Sequence, residues 1–130
     1  MRRNLLAMKL QLSRPEGSNQ ITSCGVGFVV VNGVRYEKSL IVTPESIAPD
    51  WPVAAFASLA AEHLDALLAS KPEIVLLGTG TRLRFPHPSV LRPLIEARIG
   101  YEIMDTGAAC RTYAILMGEG RRVLAALIIG

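Results

Sequence analysis

A chain of 130 residues, half of it apolar and 19% charged, has the material for one packed domain and too little for two, and it is too apolar to stay unfolded. Its net charge of +3 is thinly spread, with 6 basic and 4 acidic groups in residues 1–50 and 8 and 7 in residues 51–130, and only 5% of residues are aromatic; no nucleic acid partner is expected. The longest apolar candidate, residues 52–69, contains Glu62, His63 and Asp65 and falls short of the roughly 20 apolar residues of a spanning helix, so no membrane insertion is expected either.

The N-terminal "MRRNLLAMKLQL" opens basic, but Lys9 and Gln11 interrupt its leucines and no small-residue cleavage site follows. It reads as a weak strand or extended arm rather than a signal peptide, with residues 1–7 expected to be disordered and 1–130 to form a single domain. "SRPEGSNQ", residues 13–20, is a polar loop broken by Pro15 and Gly17. Two β-branched runs then flank Asn32-Gly33, a pair suited to the positive φ angles of a two-residue hairpin turn. Gly25 and Gly27 mark a bulge or a close backbone approach. "PESIAPDWP" ends the strand with three prolines, and Trp51 within it reads as an anchor against the core.

"VAAFASLAAEHLDALLAS", residues 53–70, carries Phe56, Leu59, Ala60, His63 or Leu64, and Leu67 or Leu68 at helical spacing and predicts one helix, ended by Pro72. "EIVLLG", 73–78, is a short apolar run of the kind buried on both faces of a sheet. "PSVLRPLIEARIG" predicts a second helix with Val90, Leu91, Leu94 and Ile95 on its inner face and Gly100 as its C′ residue. "YEIMDT", 101–106, is the next strand. "GAACRTYAILMGEG" is a third helix, capped by Asp105 or Thr106 and ended by Gly118 or Gly120, with Gly107, Ala108 and Ala109 letting it sit close to the sheet. "RRVLAALIIG" is a last apolar strand. The fold class is α/β: an N-terminal β-hairpin followed by α-β-α-β-α-β, with a mixed, mostly parallel central sheet.

Three stretches carry a resemblance. "VNGVRYEKSLIVTPESIAPDW", "IVLLGTG" and "EIMDTGAACRTYAILMGEGRRVLAALI" resemble the Mth-domain family of unknown function, which includes the mitochondrial complex I assembly factor 3 and the adipogenesis-associated Mth-domain protein. The resemblance covers about residues 8–130 and implies a compact three-layer domain, but little chemistry, because the family has no assigned reaction. Its mitochondrial member takes part in assembling the respiratory NADH dehydrogenase, which implies a protein partner for a bacterial relative. Members often carry an Asn after Thr-Tyr where this chain has Ala114, so no role of that Asn is carried over.

The residues themselves complete no catalytic motif. "LLGTGTRLRFPHPS" lacks the third glycine of a dinucleotide fingerprint and the lysine of a phosphate-binding P-loop, and Pro86-His87-Pro88 delays the helix that either would need. Two readings stay open: a turn that ends a strand at positive φ beside solvated arginines, or a small anion nest. Topology gives the nest some weight. If the strands ending at Gly78 and Asp105 run parallel, their ends share the sheet edge where α/β proteins bind ligands. Gly78, Thr79, Gly80, Arg82, Asp105, Thr106, Cys110 and Arg111 would then converge on a polar small molecule or anion.

Cys110 lies near a helix N-terminus, which lowers a thiol pKa, but no His or Asp is placed to complete a nucleophilic site, and packing is the simpler reading. His63 and His87 have no metal-ligand spacing, so neither metal nor cofactor is expected. Glu102 and Asp105 face opposite sides of a strand, and Glu119-Gly120-Arg121 reads as a turn with a structural ion pair. Cys24 and Cys110 are far apart and form no CxxC pair, which fits a reducing cytoplasm rather than a disulfide framework. The sequence thus favours a non-catalytic interaction or assembly protein, with a partner protein or homo-oligomer suggested by the high apolar content. A ligand-binding protein or enzyme at the Gly78–Arg82 loop ranks second, and a nucleic-acid binder third.

Overall fold

The computed structural model describes residues 17–130; the N-terminal arm and the loop residues before Gly17 lie outside them. Eight strands and three α-helices follow in order: β1 (Ile21–Gly25), β2 (Phe28–Val31), β3 (Val34–Tyr36), β4 (Leu40–Val42), β5 (Ile47–Ala48), α1 (Ala61–Asp65), β6 (Ile74–Gly78), α2 (Pro88–Glu96), β7 (Gly100–Met104), α3 (Thr106–Gly118) and β8 (Val123–Leu127). The main sheet has the order β5-β4-β8-β6-β7. Strands β6, β7 and β8 run parallel, while β4 joins β8, and β5 joins β4, antiparallel. The α/β class and the mixed sheet expected from the sequence are both present.

The expected hairpin is present and larger. Asn32 and Gly33 take φ of 54° and 81° and turn β2 into β3. Gly25 and Gly27 turn β1 into β2 a second time, with Gly27 at φ 82°, so the glycines close a hairpin rather than mark a bulge. The single register irregularity in this sheet falls between Ile21 and Ser23. Strands β1–β3 form their own antiparallel sheet, and only "LIV" of the following run enters the main one.

Alternation along the central strands sorts the side chains into two cores. Leu76, Val123, Ala125 and Leu127 face α3 and the small sheet, where Val29, Val31, Ala109, Cys110, Tyr113 and Met117 meet them. Val75, Leu77, Leu124, Ala126 and Ile128 face the opposite side, against Trp51, Val53, Leu64, Leu67, Leu91 and Leu94. The layers are thus a small sheet with α3, the main sheet, and the α1–α2 side, and the apolar runs at β6 and β8 are buried on both faces. Trp51 is the core anchor its place among prolines suggests: it is 6% exposed and meets the His63 ring edge-on at 6.5 Å.

Residues 53–70 correct the expectation of one helix. They form a 3-10 turn at Phe56–Ser58, the short α1, and a second 3-10 turn at Ala66–Ser70. The break is local chemistry. Ala60 is extended at φ −134°, ψ 165°, and its N–H donates to His63 Nδ1 at 2.9 Å, while Ser58 Oγ accepts the Ala55 N–H at 3.3 Å. Side chains that take up backbone donors stop a helix from propagating. At the end of α2 the left-handed residue is Arg98, φ 58°, not Gly100, which opens β7 instead. Ile95 of the expected inner face of α2 is 51% exposed; Leu91 and Leu94 carry its contact with the core.

Two polar contacts fasten distant parts of the chain. Tyr113 is fully buried and its hydroxyl donates to the Asn19 carbonyl at 2.8 Å, and burial holds the phenol above its ordinary pKa. Tyr113→Phe should cost about 1 kcal/mol and lower Tm by roughly 3–5 °C, measured by thermal melting at neutral pH.

At the far edge Arg121 pairs with Glu73, Nε to Oε2 at 2.7 Å, so the ion pair expected around Arg121 reaches across the sheet rather than to Glu119. The Arg121 hydrogen bond first, and the Arg122 N–H second, hold the Glu73 carboxyl below its ordinary value of 4.5. A carboxyl depressed in the folded state stabilises above its unfolded pKa and loses that contribution as pH falls through the folded one. Wild type should therefore lose an increment of stability below pH 4.5 that Glu73→Gln lacks, and paired melts through the acid range would read it.

Candidate functional site

The parallel strands β6, β7 and β8 bring their C-terminal ends to one edge, as the sequence argument anticipated. There the chain leaves β6 through Thr79-Gly80-Thr81 and leaves β7 through Asp105 into α3. Asp105 is the N-cap: its Oδ1 accepts the Ala108 N–H at 2.9 Å. The hairpin turn from Cys24 to Gly27 overhangs the edge from the small sheet. Between these pieces and Ile128–Gly130 lies a cavity of about 270 Å³, with Gly80, Thr81, Asp105, Thr106, Gly107 and Arg111 on its wall.

The glycine loop is tied down from within. Thr106 Oγ1 accepts the Gly80 N–H at 2.8 Å and donates to the Ile128 carbonyl at 2.7 Å. The Thr106 N–H in turn donates to the Gly80 carbonyl at 2.9 Å, and the Thr79 N–H donates to Met104 O at 2.9 Å. Thr79 Oγ1 donates to Arg82 O at 2.6 Å and accepts the Arg84 N–H at 3.2 Å. The two backbone donors that would form the heart of an anion nest, those of Thr79 and Gly80, are thus already used. Gly80 takes φ 103°, a conformation that favours glycine.

Of the eight residues singled out by sequence, Gly80, Asp105, Thr106 and Arg111 meet at the cavity. Gly78 is buried at the end of β6 against Thr106, and Thr79, also buried, borders the depression that Arg82 lines rather than the cavity. Arg82 is exposed and lines a neighbouring depression with Arg84 and Phe56, away from Asp105. Cys110 is buried in the core under α3, and burial first, then the sulfur of Cys24, push its thiol well above the usual thiol range. Sequence reasoning did not connect Cys24, Val26 or Ile129 with this edge, because they come from a hairpin more than 50 residues from its loops or from the chain's last strand end. Gly107 opens onto the cavity: a Cβ there would meet Asp105 Oδ1 at 3.4 Å and Arg111 Nη1 at 3.5 Å. Only Ala109 of the three small residues is fully buried on the core side.

Cavity size alone does not choose this edge. A hollow of about 290 Å³ lies on the opposite edge between Ser46 and Arg122, and a wider one of about 670 Å³ runs past Trp51 and Lys38. Among the described residues no cluster of three or more His, Cys, Asp or Glu side chains is placed to hold a metal ion. No helix among them is long and apolar enough to cross a membrane. Ala114 is exposed on the outer side of α3.

A family model described as a protein of unknown function (DUF498/DUF598) matches residues 21–128. The chain is 38% identical over 104 residues to the NADH dehydrogenase (ubiquinone) 1 alpha subcomplex assembly factor 3 of Bos taurus, covering 78% of this chain and 55% of that protein. It spans about half the length of the curated assembly factors it matches. The crystal structure of a Bordetella parapertussis protein shares 41% identity and superposes with a TM-score of 0.83, covering 89% of this chain and 100% of that one. The solution structure of a Bordetella pertussis Mth938-like domain shares 35% identity with a TM-score of 0.75, covering 88% of each chain.

Proposed function

This chain belongs to the DUF498/DUF598 family of proteins of unknown function, and from that membership we propose that it is a non-catalytic interaction or assembly protein, linked to assembly of a respiratory NADH dehydrogenase. The observation that carries the reading is the 38% identity with an NADH dehydrogenase assembly factor over 78% of this chain. The strand-end edge supports it physically. Its glycine loop is locked by internal hydrogen bonds, which makes a rigid surface, and beyond it Leu83 and Phe85 stand 50% and 71% exposed, with Val26 of the overhanging turn 85% exposed. Large apolar side chains held out on stiff backbone are the usual anchors of protein contacts. In the cell that makes this protein, a tagged copy should enrich NADH dehydrogenase subunits, and Phe85→Asp should lose most of that enrichment while melting like wild type. Normal enzyme assembly after deletion of the gene, with no subunit enriched, would refute the reading.

A second reading rests on the cavity itself. Arg111 and Asp105 place one charge of each sign beside about 270 Å³ of open space, a setting for a small polar molecule or anion. Thermal shifts against inorganic phosphate, nucleotides, organic acids and acyl-carrier fragments test it. A native-state ligand at about 100 times its Kd adds roughly 2.7 kcal/mol, or several degrees of Tm, and Arg111→Ala should abolish the shift. No shift across the panel would remove this reading and leave the first standing.

A further inference from the structure

We propose that Cys24 and Cys110 form a redox-active dithiol beneath the strand-end cavity, which closes into an intramolecular disulfide joining β1 to α3. The two residues lie 86 positions apart in the sequence and share no motif. The fold unites them, because the small sheet packs on α3 and turns the Cys24 side chain into the cluster that holds Cys110. Strand β1 packs directly on α3, which sets Cys24 beside the first turns of the helix that carries Cys110.

Their exposures differ in the way that divides the labour of thiol exchange. Cys24 is half-buried and lines the cavity, whereas Cys110 is 4% exposed and is shut off from solvent. Access to Cys24 depends on Gly107, one helical turn before Cys110: a Cβ there would stand 3.9 Å from Cys24 Sγ. Arg111 lines the same cavity and supplies a cation for the carboxylates of a glutathione-type disulfide.

The oxidant is a low-molecular-weight disulfide. The Cys24 thiolate attacks one of its sulfurs, forming a mixed disulfide and releasing one thiolate. Cys110 then gives up its proton to that thiolate and attacks the Cys24 sulfur, releasing the second low-molecular-weight thiol. The protein dithiol is oxidised by two electrons and the small disulfide is reduced to two thiols. The bond formed ties the small sheet to α3 beside the mouth of the cavity. This chemistry is independent of whether the edge serves a protein partner or a ligand.

The test is the reduced, purified chain with oxidised glutathione, followed by intact mass and thiol titration. Wild type is expected to lose both thiols together and two hydrogens in mass without any disulfide cross-link between chains. Cys110→Ser is expected to stop at a stable glutathione adduct on Cys24, and Cys24→Ser to leave Cys110 unmodified. In the reduced wild type, iodoacetamide should label Cys24 about ten-fold or more faster than Cys110. Wild type that halts at the glutathione adduct, links into dimers through Cys24, or keeps both thiols free overturns the proposal; each of these is read on wild type alone, so misfolding of a variant cannot obscure it.

Discussion

Thr106→Val should cost about 2–4 kcal/mol, a loss on the order of 10 °C in Tm, although it changes one hydroxyl to a methyl of similar size. Thr106 is 9% exposed and its Oγ1 works twice, accepting from Gly80 N–H and donating to Ile128 O. Valine keeps the volume and removes both bonds. It thereby leaves a donor on one loop and an acceptor on the β8 exit without partners in a dry place, and an orphaned buried polar group costs about 1–3 kcal/mol. Thr106→Ser is the control. It keeps the hydroxyl and loses only a methyl, and should fall by about 1 kcal/mol. If Ser falls further than Val, packing at the methyl holds this junction and the hydrogen bonds do not. The result bears on function, because the same two bonds fix the loop that separates the cavity from the exposed Leu83 and Phe85.

What the sequence could reveal follows from what each signal measures. The apolar runs at 74–78 and 123–127 announced buried strands, because burial on both faces leaves no polar alternation to hide them. Asn32-Gly33 announced its turn because few other residue pairs accept two positive φ angles. Asp105 announced a helix start because a carboxylate there satisfies a backbone donor that nothing else reaches. Periodicity failed at residues 53–70 because apolar spacing reports which side chains turn inward, not which backbone donors are taken; Ser58 and His63 took two of them. The strand-end edge was legible from topology, but its contents were only partly so. Arg82 and Arg111 are equally basic in the sequence, and only the path of the loop after Thr79, set by the bonds from Thr79 Oγ1, sends Arg82 to a different depression. That Cys24 and Cys110 share one core cluster had no local signal at all, since it depends on how the small sheet docks on α3.

Of the two glycines that flank Thr79, Gly78 should prove the less replaceable, for a reason of space rather than of backbone angle. An added Cβ would stand 2.9 Å from both Thr106 Cα and Thr106 Oγ1 and 3.2 Å from Leu127 Cδ2. One of the 2.9 Å neighbours is backbone, so no rotamer change relieves it; the first turn of α3 must move off the sheet. Gly78→Val should therefore cost about 3 kcal/mol or more and Gly78→Ala about 2 kcal/mol, at the upper end of overpacking effects, with both read from denaturant melts. Gly80 makes the contrast. Its nearest new neighbour would be Gly130 O at 3.2 Å, and its penalty comes from φ 103°, so Gly80→Asn should be tolerated better than Gly80→Val, whereas no choice of turn-forming residue helps at Gly78. A second substitution separates the two contacts at Gly78. Thr106→Ala removes the hydroxyl but leaves its Cα in place. If the Cα is the obstacle, Gly78→Ala should cost nearly as much in that background as in wild type, and a cost that vanishes there would assign the clash to the hydroxyl instead.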